Sequence, residues 1–400
     1  MTRCLSGAIA AVILLASLSG SAASPDVHPT AVRQAVPRAA YEVPRLRSGP
    51  PCPQPEQKAS IAAIGDVLIH RSIYDDARTK SGFDFRPMFE KVRPALAAAD
   101  VTVANQESIT GGIGIGLSDY PTFNSPFETA DALRDAGVDV VTMANNHTLD
   151  RGEKAVLQAI GHWRDLQVEY AGASESVNDR RRMRLVKRNG LKLAFLSYTY
   201  GTNGIPSPPG KSHLVHRLEP GVLTAEIREA KRLADAVVVS LHFGVEYQRL
   251  PNDEQKRLAK LAAVSGADLI LGHHPHVLQP LEWIDNGRNG GRSLVVYSLG
   301  NFIAAQKQSD PHTRIGGILS ADLQKVPGPG PEAGSIGSRI VVENVTFLPT
   351  YIRFKRWRGY RVVPLASVTE EELKDAPRVF KEVAAHMRRW MPDLTVADGL

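Results

Sequence analysis

From about residue 60 to residue 305 the chain repeats one pattern: a short apolar run closed by turn residues, then a longer amphipathic stretch. The runs are SIAAIGD (60–66), VTVAN (101–105), VDVVTMAN (138–145), ADAVVVSL (234–241) and ADLILG (267–272). Runs this short, β-branched and almost continuously apolar predict strands covered on both faces. Between them, residues 84–98, 129–136, 152–166, 220–234 and 252–265 carry apolar positions at helical spacing and predict amphipathic helices. Strand–helix alternation of this kind predicts an α/β protein with a largely buried sheet.

Two segments predict hairpins. RMRLVKRNGLKLAFLSYTY turns at Asn189-Gly190, a strong tight-turn signal, and LEWIDNGRNGGRSLVVYSLG supplies the second. Residues 316–365 read as further strands interrupted by the Pro/Gly loop VPGPGPEAGSIG, and a helix around 369–391 closes the chain. No repeat of 20–50 residues is present. The resulting division is a main domain over 59–366 and a C-terminal helix and tail over 367–400.

Upstream of that domain, residues 24–58 are rich in proline and basic residues and predict an extended linker. Met1-Thr2-Arg3, the apolar GAIAAVILLASLSG and the small residues SAAS together predict a signal peptide over residues 1–23. An uncleaved membrane anchor is the competing reading. Either way the chain is expected to be exported, periplasmic or extracellular, with association to a membrane left open. Cys4 lies ahead of the apolar run, out of place for a lipid-modified cysteine. Removing the leader leaves Cys52 alone, so no internal disulfide is expected and stability rests on the core. An apolar fraction of 43% supplies that core. A net charge of +6 over 400 residues tolerates a polyanionic partner but is too mild to point to nucleic acid.

The polar residues best suited to bind metal stand at the C-terminal ends of the apolar runs. Asp66 ends the first, Asn105 and Glu107 the second, and Asn145, Asn146 and His147 the third. His242 and Glu246 follow the fourth run, and His273, His274 and His276 the fifth. Strand ends of a mostly parallel sheet gather along one rim, where α/β folds bind ligands. His274 and His276 are spaced i, i+2, and Pro275 biases His274 toward extended geometry. In extended chain both would face one site while His273 points away as a structural residue. Carboxylate, amide and imidazole together suit Zn, Mn or Fe and match Ca poorly. Asp150, in HTLDRG, either caps the helix starting near Arg151 or orients His147. His213 and His216 fall in a Pro/Gly-rich loop and are expected to be exposed there.

The segments AAIGDVLIH, VANQES, DVVTMANNHTLDRG, VVSLHFGVEY, LILGHHPHVLQPLE and VVYSLGNFI occur in that order and spacing. From about Ile61 to Ile303 the chain thus resembles the CapA/PgsA family of poly-γ-glutamate (capsule) synthesis proteins. That family is similar in fold to calcineurin-like metallophosphoesterases, which implies two stacked mixed β-sheets flanked by helices. Carried over by motif, the resemblance implies metal ligands at Asp66, Glu107, Asn146, His242, His274 and His276, for one or two divalent ions. It implies His147 as proton donor to a leaving group, with Asp150 and Glu246 as further catalytic candidates. Asn105, Asn145, Asn301 and His70 are then substrate or supporting contacts. The chain departs from the phosphoesterase pattern in two places. Asp66 is followed by Val67 and Leu68, the next histidine being His70, and Glu107 stands where aspartate bridges two metals. Both departures weaken the case for a second ion and for phosphatase activity.

Function at this point has competing forms. One is a metal-dependent hydrolase, phosphoesterase-like or acting on γ-glutamyl amides, in capsule polymer synthesis or processing. Another is a non-catalytic accessory protein that binds an anionic polymer and helps its export. A periplasmic metallophosphoesterase is a further alternative. The partners implied are an anionic polymer or phosphoester substrate and a membrane-associated polymer synthase complex.

Overall fold

The computed structural model describes residues 57–287, 291–306, 310–329 and 336–399, all within one compact unit. The expected signal peptide and nearly all of the linker lie outside them. The first half of the chain contains β1 (Lys58–Val67), α1 (Arg71–Asp76), α2 (Arg86–Phe89), α3 (Arg93–Ala97), β2 (Val101–Gln106) and α4 (Glu128–Asp135). It continues through β3 (Val140–Thr142), α5 (Gly152–Asp165), β4 (Glu169–Ala171), α6 (Val177–Arg181), β5 (Arg184–Arg188) and β6 (Leu191–Thr199). Next come α7 (Pro220–Leu233), β7 (Ala236–His242), α8 (Asp253–Ser265), β8 (Leu269–His273), β9 (Leu278–Asp285) and β10 (Arg292–Leu299). The chain ends through β11 (Asn301–Ile303), β12 (Ile315–Pro329), β13 (Ile336–Lys355), β14 (Arg358–Pro364), α9 (Ala376–Met387) and β15 (Thr395–Val396).

These strands form two stacked mixed sheets. One runs β14-β13-β12-β1-β2-β3-β4, with β11 beside β1 and β15 beside β13; the other runs β5-β6-β7-β8-β10-β9. β1 to β4 are mutually parallel, as are β6, β7, β8 and β10, while the remaining long strands enter antiparallel.

The period-2 alternation of strands distributes the apolar runs between three cores. In β1, Ala62 and Ile64 face the helices α1 to α5, whereas Ile61 and Ala63 face the layer between the sheets. In β7, Val237, Val239 and Leu241 pack under α7 and α8, and Val238 turns to the inner layer. Continuous apolar runs are therefore required, because both faces of these strands are covered. Val379, Val383 and Met387 of α9 add to the inner core.

Several expected elements changed. The helix expected over 84–98 is split into α2 and α3, because Pro87 and Pro94 each open a new helical turn. The third run pairs only over Val140–Thr142 and turns sharply afterwards. Much of the expected Pro/Gly loop after residue 325 is ladder: β12 pairs with β13 as far as Pro329 and Ile336. The closing helix is confined to Ala376–Met387.

Gly65 sets the rim where the site forms. The β1–β2 register slips between Ile64 and Asp66, and the Asp66 amide donates to Gly300 O at 2.9 Å. A Cβ on Gly65 would lie 2.0 Å from Gly300 O, so only glycine lets β1 approach the β10–β11 junction. Asp66 is thereby carried to the parallel strand ends that also deliver Glu107, His242 and the 273–276 turn.

Candidate metal centre

The predicted ligands converge in one buried cluster. Asp66 Oδ1 accepts from Asn105 Nδ2 at 2.8 Å, and its Oδ2 lies 3.2 Å from His276 Nδ1. Glu107, just past β2, brings Oε1 to 3.5 Å from His242 Nε2 and 3.7 Å from His276 Nε2. His242 Nε2 donates to Asn146 Oδ1 at 2.8 Å, and Asn146 Nδ2 donates to Asn203 Oδ1 at 3.3 Å. The rings of His242 and His274 lie 4.9 Å apart, and those of His274 and His276 5.9 Å.

His274 and His276 reach this cluster by a different route from the one their spacing predicted. Both are left-handed, with φ of 97° and 59°, so the segment after β8 is a tight turn and not extended chain. Non-glycine residues in such conformations cost of order 1–3 kcal/mol each and persist where surrounding contacts hold them. Here the His274 amide donates to Asp66 Oδ2 at 3.4 Å, and Pro275 O accepts from the Tyr247 amide at 2.8 Å. The turn also corrects the expectation for His273. Its Nδ1 lies 3.5 Å from Asp66 Oδ1, so it faces the cluster.

Electrostatics show what the cluster lacks. Burial pushes Glu107 well above the usual carboxylate range, with His276 opposing and Asp66 reinforcing the shift. Burial also acts to raise Asp66, but the imidazoles of His273 and His276 beside it outweigh burial and hold that carboxyl low. Burial would lower His276, yet Glu107 and Asp66 lift it to about 10. Burial keeps His242 well below its ordinary value and His274 down at about 3, so both offer neutral imidazole lone pairs. Both Glu107 oxygens, both ring nitrogens of His273, and Nδ1 of His242 and His274 are buried without a hydrogen-bond partner among the described residues. Buried polar atoms left unpaired cost about 1–3 kcal/mol each, and so many in one place need a common partner. Glu107, His274 and His276 each turn one ligand atom to within 4.8 Å of the others. Neutral imidazole, carboxylate and unpaired lone pairs fit a divalent cation.

Beside the cluster stands His147. Its Nδ1 lies 2.7 Å from Asp150 Oδ2, which also accepts the Phe123 amide at 2.7 Å. Phe123 packs edge-on against the imidazole with ring centres 4.7 Å apart. Asp150 therefore orients His147 and makes no helix cap: α5 has no side-chain cap bond. With Nδ1 committed, Nε2 is the nitrogen left to exchange protons. A cavity of about 500 Å³ is lined by His147, His276, His70, Glu246, Tyr120 and Tyr247, among others.

The remaining candidates separate by what they touch. Asn301 Oδ1 meets His276 Nδ1 at 3.0 Å while its Nδ2 donates to Thr313 O at 2.8 Å. Asn105 Oδ1 accepts from Thr142 Oγ1 at 3.2 Å, fixing the amide against Asp66. Asn145 is turned inward: Nδ2 donates to Gln106 O at 2.7 Å and Oδ1 accepts the His147 amide at 2.9 Å. It shapes the loop that carries His147 and presents nothing to a substrate. His70 lines the cavity, and its Nδ1 lies 3.1 Å from the Ala305 amide. Glu246 is exposed at the cavity mouth, outside the ligand cluster. His216, expected to be exposed, is buried and bonded to Ser174 Oγ at 2.9 Å, away from the site. Sequence reasoning missed Phe123 and Tyr200, whose ring lies 4.7 Å from that of His274. An isolated aromatic in a loop gives no periodic signal to find it by.

Residues 60–306 match the family described as Bacterial capsule synthesis protein PGA_cap. The chain belongs to that family. Among similar proteins, the PGA biosynthesis protein CapA of Bacillus subtilis (strain 168) is 32% identical over 276 residues, covering 66% of this chain and 68% of its own length. The capsule biosynthesis protein CapA of Bacillus anthracis is 31% identical over 267 residues, covering 62% and 61%. The chain thus spans about two thirds of these relatives. The crystal structure of the calcineurin-like phosphoesterase YfkN from Bacillus subtilis matches 72% of this chain and 91% of its own at 15% identity, with a TM-score of 0.37.

Proposed function

We propose that this chain is an exported, cation-dependent hydrolase that processes a γ-glutamyl capsule polymer alongside a membrane-associated synthase. The observation that carries the reading is the His147–Asp150 pair, 2.7 Å apart, with His147 lining the same cavity as His276 of the ligand cluster. A purely structural cation has no use for an oriented proton donor facing a cavity.

Glu107, His274 and His276 would hold the ion, with Asp66, His242 and Asn146 beside them, and Zn, Mn or Fe suits this set. When bound, the ion supplies Lewis-acid polarisation of the scissile carbonyl oxygen and lowers the pKa of water. The residues do the rest. His147 delivers a proton from Nε2 to the leaving amine while Asp150 holds Nδ1. Glu246, lining the same cavity, is the carboxylate available to accept a proton from the attacking water.

The cavity lining favours an amide over a phosphomonoester. It includes Glu246 and Asp310 and, among the described residues, no lysine or arginine. A dianionic phosphate would meet two carboxylates, offset by the cation and the protonated His147 alone, whereas a γ-amide is neutral at the reacting bond. The test is a panel of γ-glutamyl oligomers and phosphoesters, each assayed with Zn, with Mn and without metal. Cleavage of the oligomers that needs metal, and that His147→Ala lowers by about 10²–10⁴-fold at unchanged metal content, is the expected result. Turnover undiminished in His147→Ala would remove the proposed acid. Absence of turnover on every substrate leaves the non-catalytic, polymer-binding role.

A further inference from the structure

The hairpin joining β13 to β14 turns through Arg356 and Trp357, both left-handed, with φ of 50° and 63°. Lys355 and Arg358 close the ladder on either side. Two successive left-handed residues make the tight turn for which Asn-Gly is strongly preferred. The same chain uses that solution at Asn189-Gly190, with φ of 48° and 78°. Arginine and tryptophan strain the backbone at such positions, so their presence calls for a reason beyond turning the chain.

Their surroundings supply one. Lys355, Arg356, Trp357 and Arg358 are all exposed, and no ion pair among the described residues involves these cations. Trp357 is 42% exposed, yet it is mounted firmly. Its ring stacks on Phe354 at 5.3 Å, and Phe354 stacks on Tyr360 at 4.6 Å. The base of the hairpin is tied to α1, because Asp76 accepts the Gly359 and Tyr360 amides at 2.9 Å.

Topology fixes where this tip projects. β12 is antiparallel to β1 and β13 antiparallel to β12, so β13 runs in the direction of β1. Ile64 of β1 pairs with Ile318, and Ile315 pairs with Tyr351, so β13 continues past the rim at which Asp66 emerges. The tip therefore leaves the fold at the same end as the metal centre.

We propose that this hairpin tip contacts an anionic phospholipid surface, with Trp357 in the headgroup layer and Lys355, Arg356 and Arg358 against the lipid phosphates. Tryptophan partitions to the membrane–water interface, and clustered cations add attraction to anionic lipid. A convex turn suits a flat surface, whereas an extended anionic polymer is better held in a groove. The contact would hold the end of the molecule that carries the metal centre toward the membrane. It is independent of whether that centre is catalytic.

The full chain is mixed with vesicles of phosphatidylglycerol and phosphatidylcholine, or of phosphatidylcholine alone, with bromine on the lipid chains near the headgroups. Quenching of tryptophan fluorescence by the anionic vesicles is expected, falling as salt rises. Trp357→Phe should remove that quenching. Replacing Lys355, Arg356 and Arg358 with serine should weaken binding about five-fold per cation, or about a hundred-fold together. The double variant Arg356→Asn/Trp357→Gly installs the preferred turn residues, so it should unfold no earlier than the parent while its anionic-vesicle binding drops. Equal binding by this variant and the parent, or no preference of the parent for anionic vesicles, overturns the proposal. So does binding of soluble poly-γ-glutamate that the double variant loses when vesicles neither bind nor compete.

Discussion

Glu107→Gln separates the roles of Glu107 as a folding residue and as a ligand. The side chain is fully buried, and neither carboxylate oxygen has a hydrogen-bond partner among the described residues. Burial pushes it well above the usual carboxylate range, so without a cation its negative charge is costly to hold there. Glutamine has the same shape and no charge, and the metal-free variant should match the parent in stability to within about 1 kcal/mol. Cation binding behaves differently, because it needs the ionised ligand. An ion at one hundred times its dissociation constant stabilises a folded protein by about 2.7 kcal/mol. The folded unit has about 345 residues, which at about 2.1 cal/mol/K per residue gives an unfolding entropy near 0.7 kcal/mol/K. The parent should therefore gain about 4 °C in Tm with Zn or Mn at that excess, and Glu107→Gln almost nothing. Thermal unfolding followed by circular dichroism, with chelated and metal-loaded protein side by side, measures both quantities. A variant that keeps the full metal shift would falsify the ligand role. One that loses several kcal/mol in the metal-free state would show that the buried carboxylate is a stabilising partner of His276 and His242 instead.

Other perturbations probe separate links. Asp150→Asn should lower turnover by about 10²-fold or more while the metal-induced thermal shift persists, because it disturbs the orientation of His147 and touches no ligand. Gly65→Ala should cost about 3 kcal/mol or more in urea unfolding, since its Cβ would sit 2.0 Å from a backbone carbonyl that no rotamer change can move. Burial, assisted by Arg249, holds His386 down at about 4, so the folded form is neutral where the unfolded form protonates. Its contribution is complete above pH 6.5 and declines as pH falls from 6.5 toward 4, so the parent's Tm should drop more steeply across that window than that of His386→Gln. Equal slopes would place the acid sensitivity elsewhere.

The candidate site was legible because its residues follow strands whose cores are covered on both faces. Val101 and Val103 must face the inner layer and Ala104 the helices, which forces the chain to the rim just before Glu107. The same logic carried Asp66, His242 and the histidines after β8 to one edge. It failed where the chain stops being extended. The i, i+2 argument expected His274 and His276 to face one site with His273 turned away, but left-handed residues rotate the turn and bring all three toward Asp66. Asn145 looked like a substrate contact beside Asn146, but the loop after β3 spends its amide on the Gln106 carbonyl and the His147 amide.

What the sequence by itself determined was the strand–helix order, the ligand types at each strand end and membership in a motif-defined family. These follow from local patterning: apolar runs bounded by turn residues dictate strands, and the polar residue ending a buried parallel strand sits at a rim. Only the tertiary structure decided which of those polar side chains share a cavity. It also decided that Asp150 serves His147 instead of a helix, and that Arg356 and Trp357 leave the fold at the end that carries the candidate ligand cluster. Each of these depends on the pairing of segments far apart in the chain, such as Asp150 with Phe123 and β1 with β12. The free energy of those pairings comes from burial of surface that no local pattern specifies.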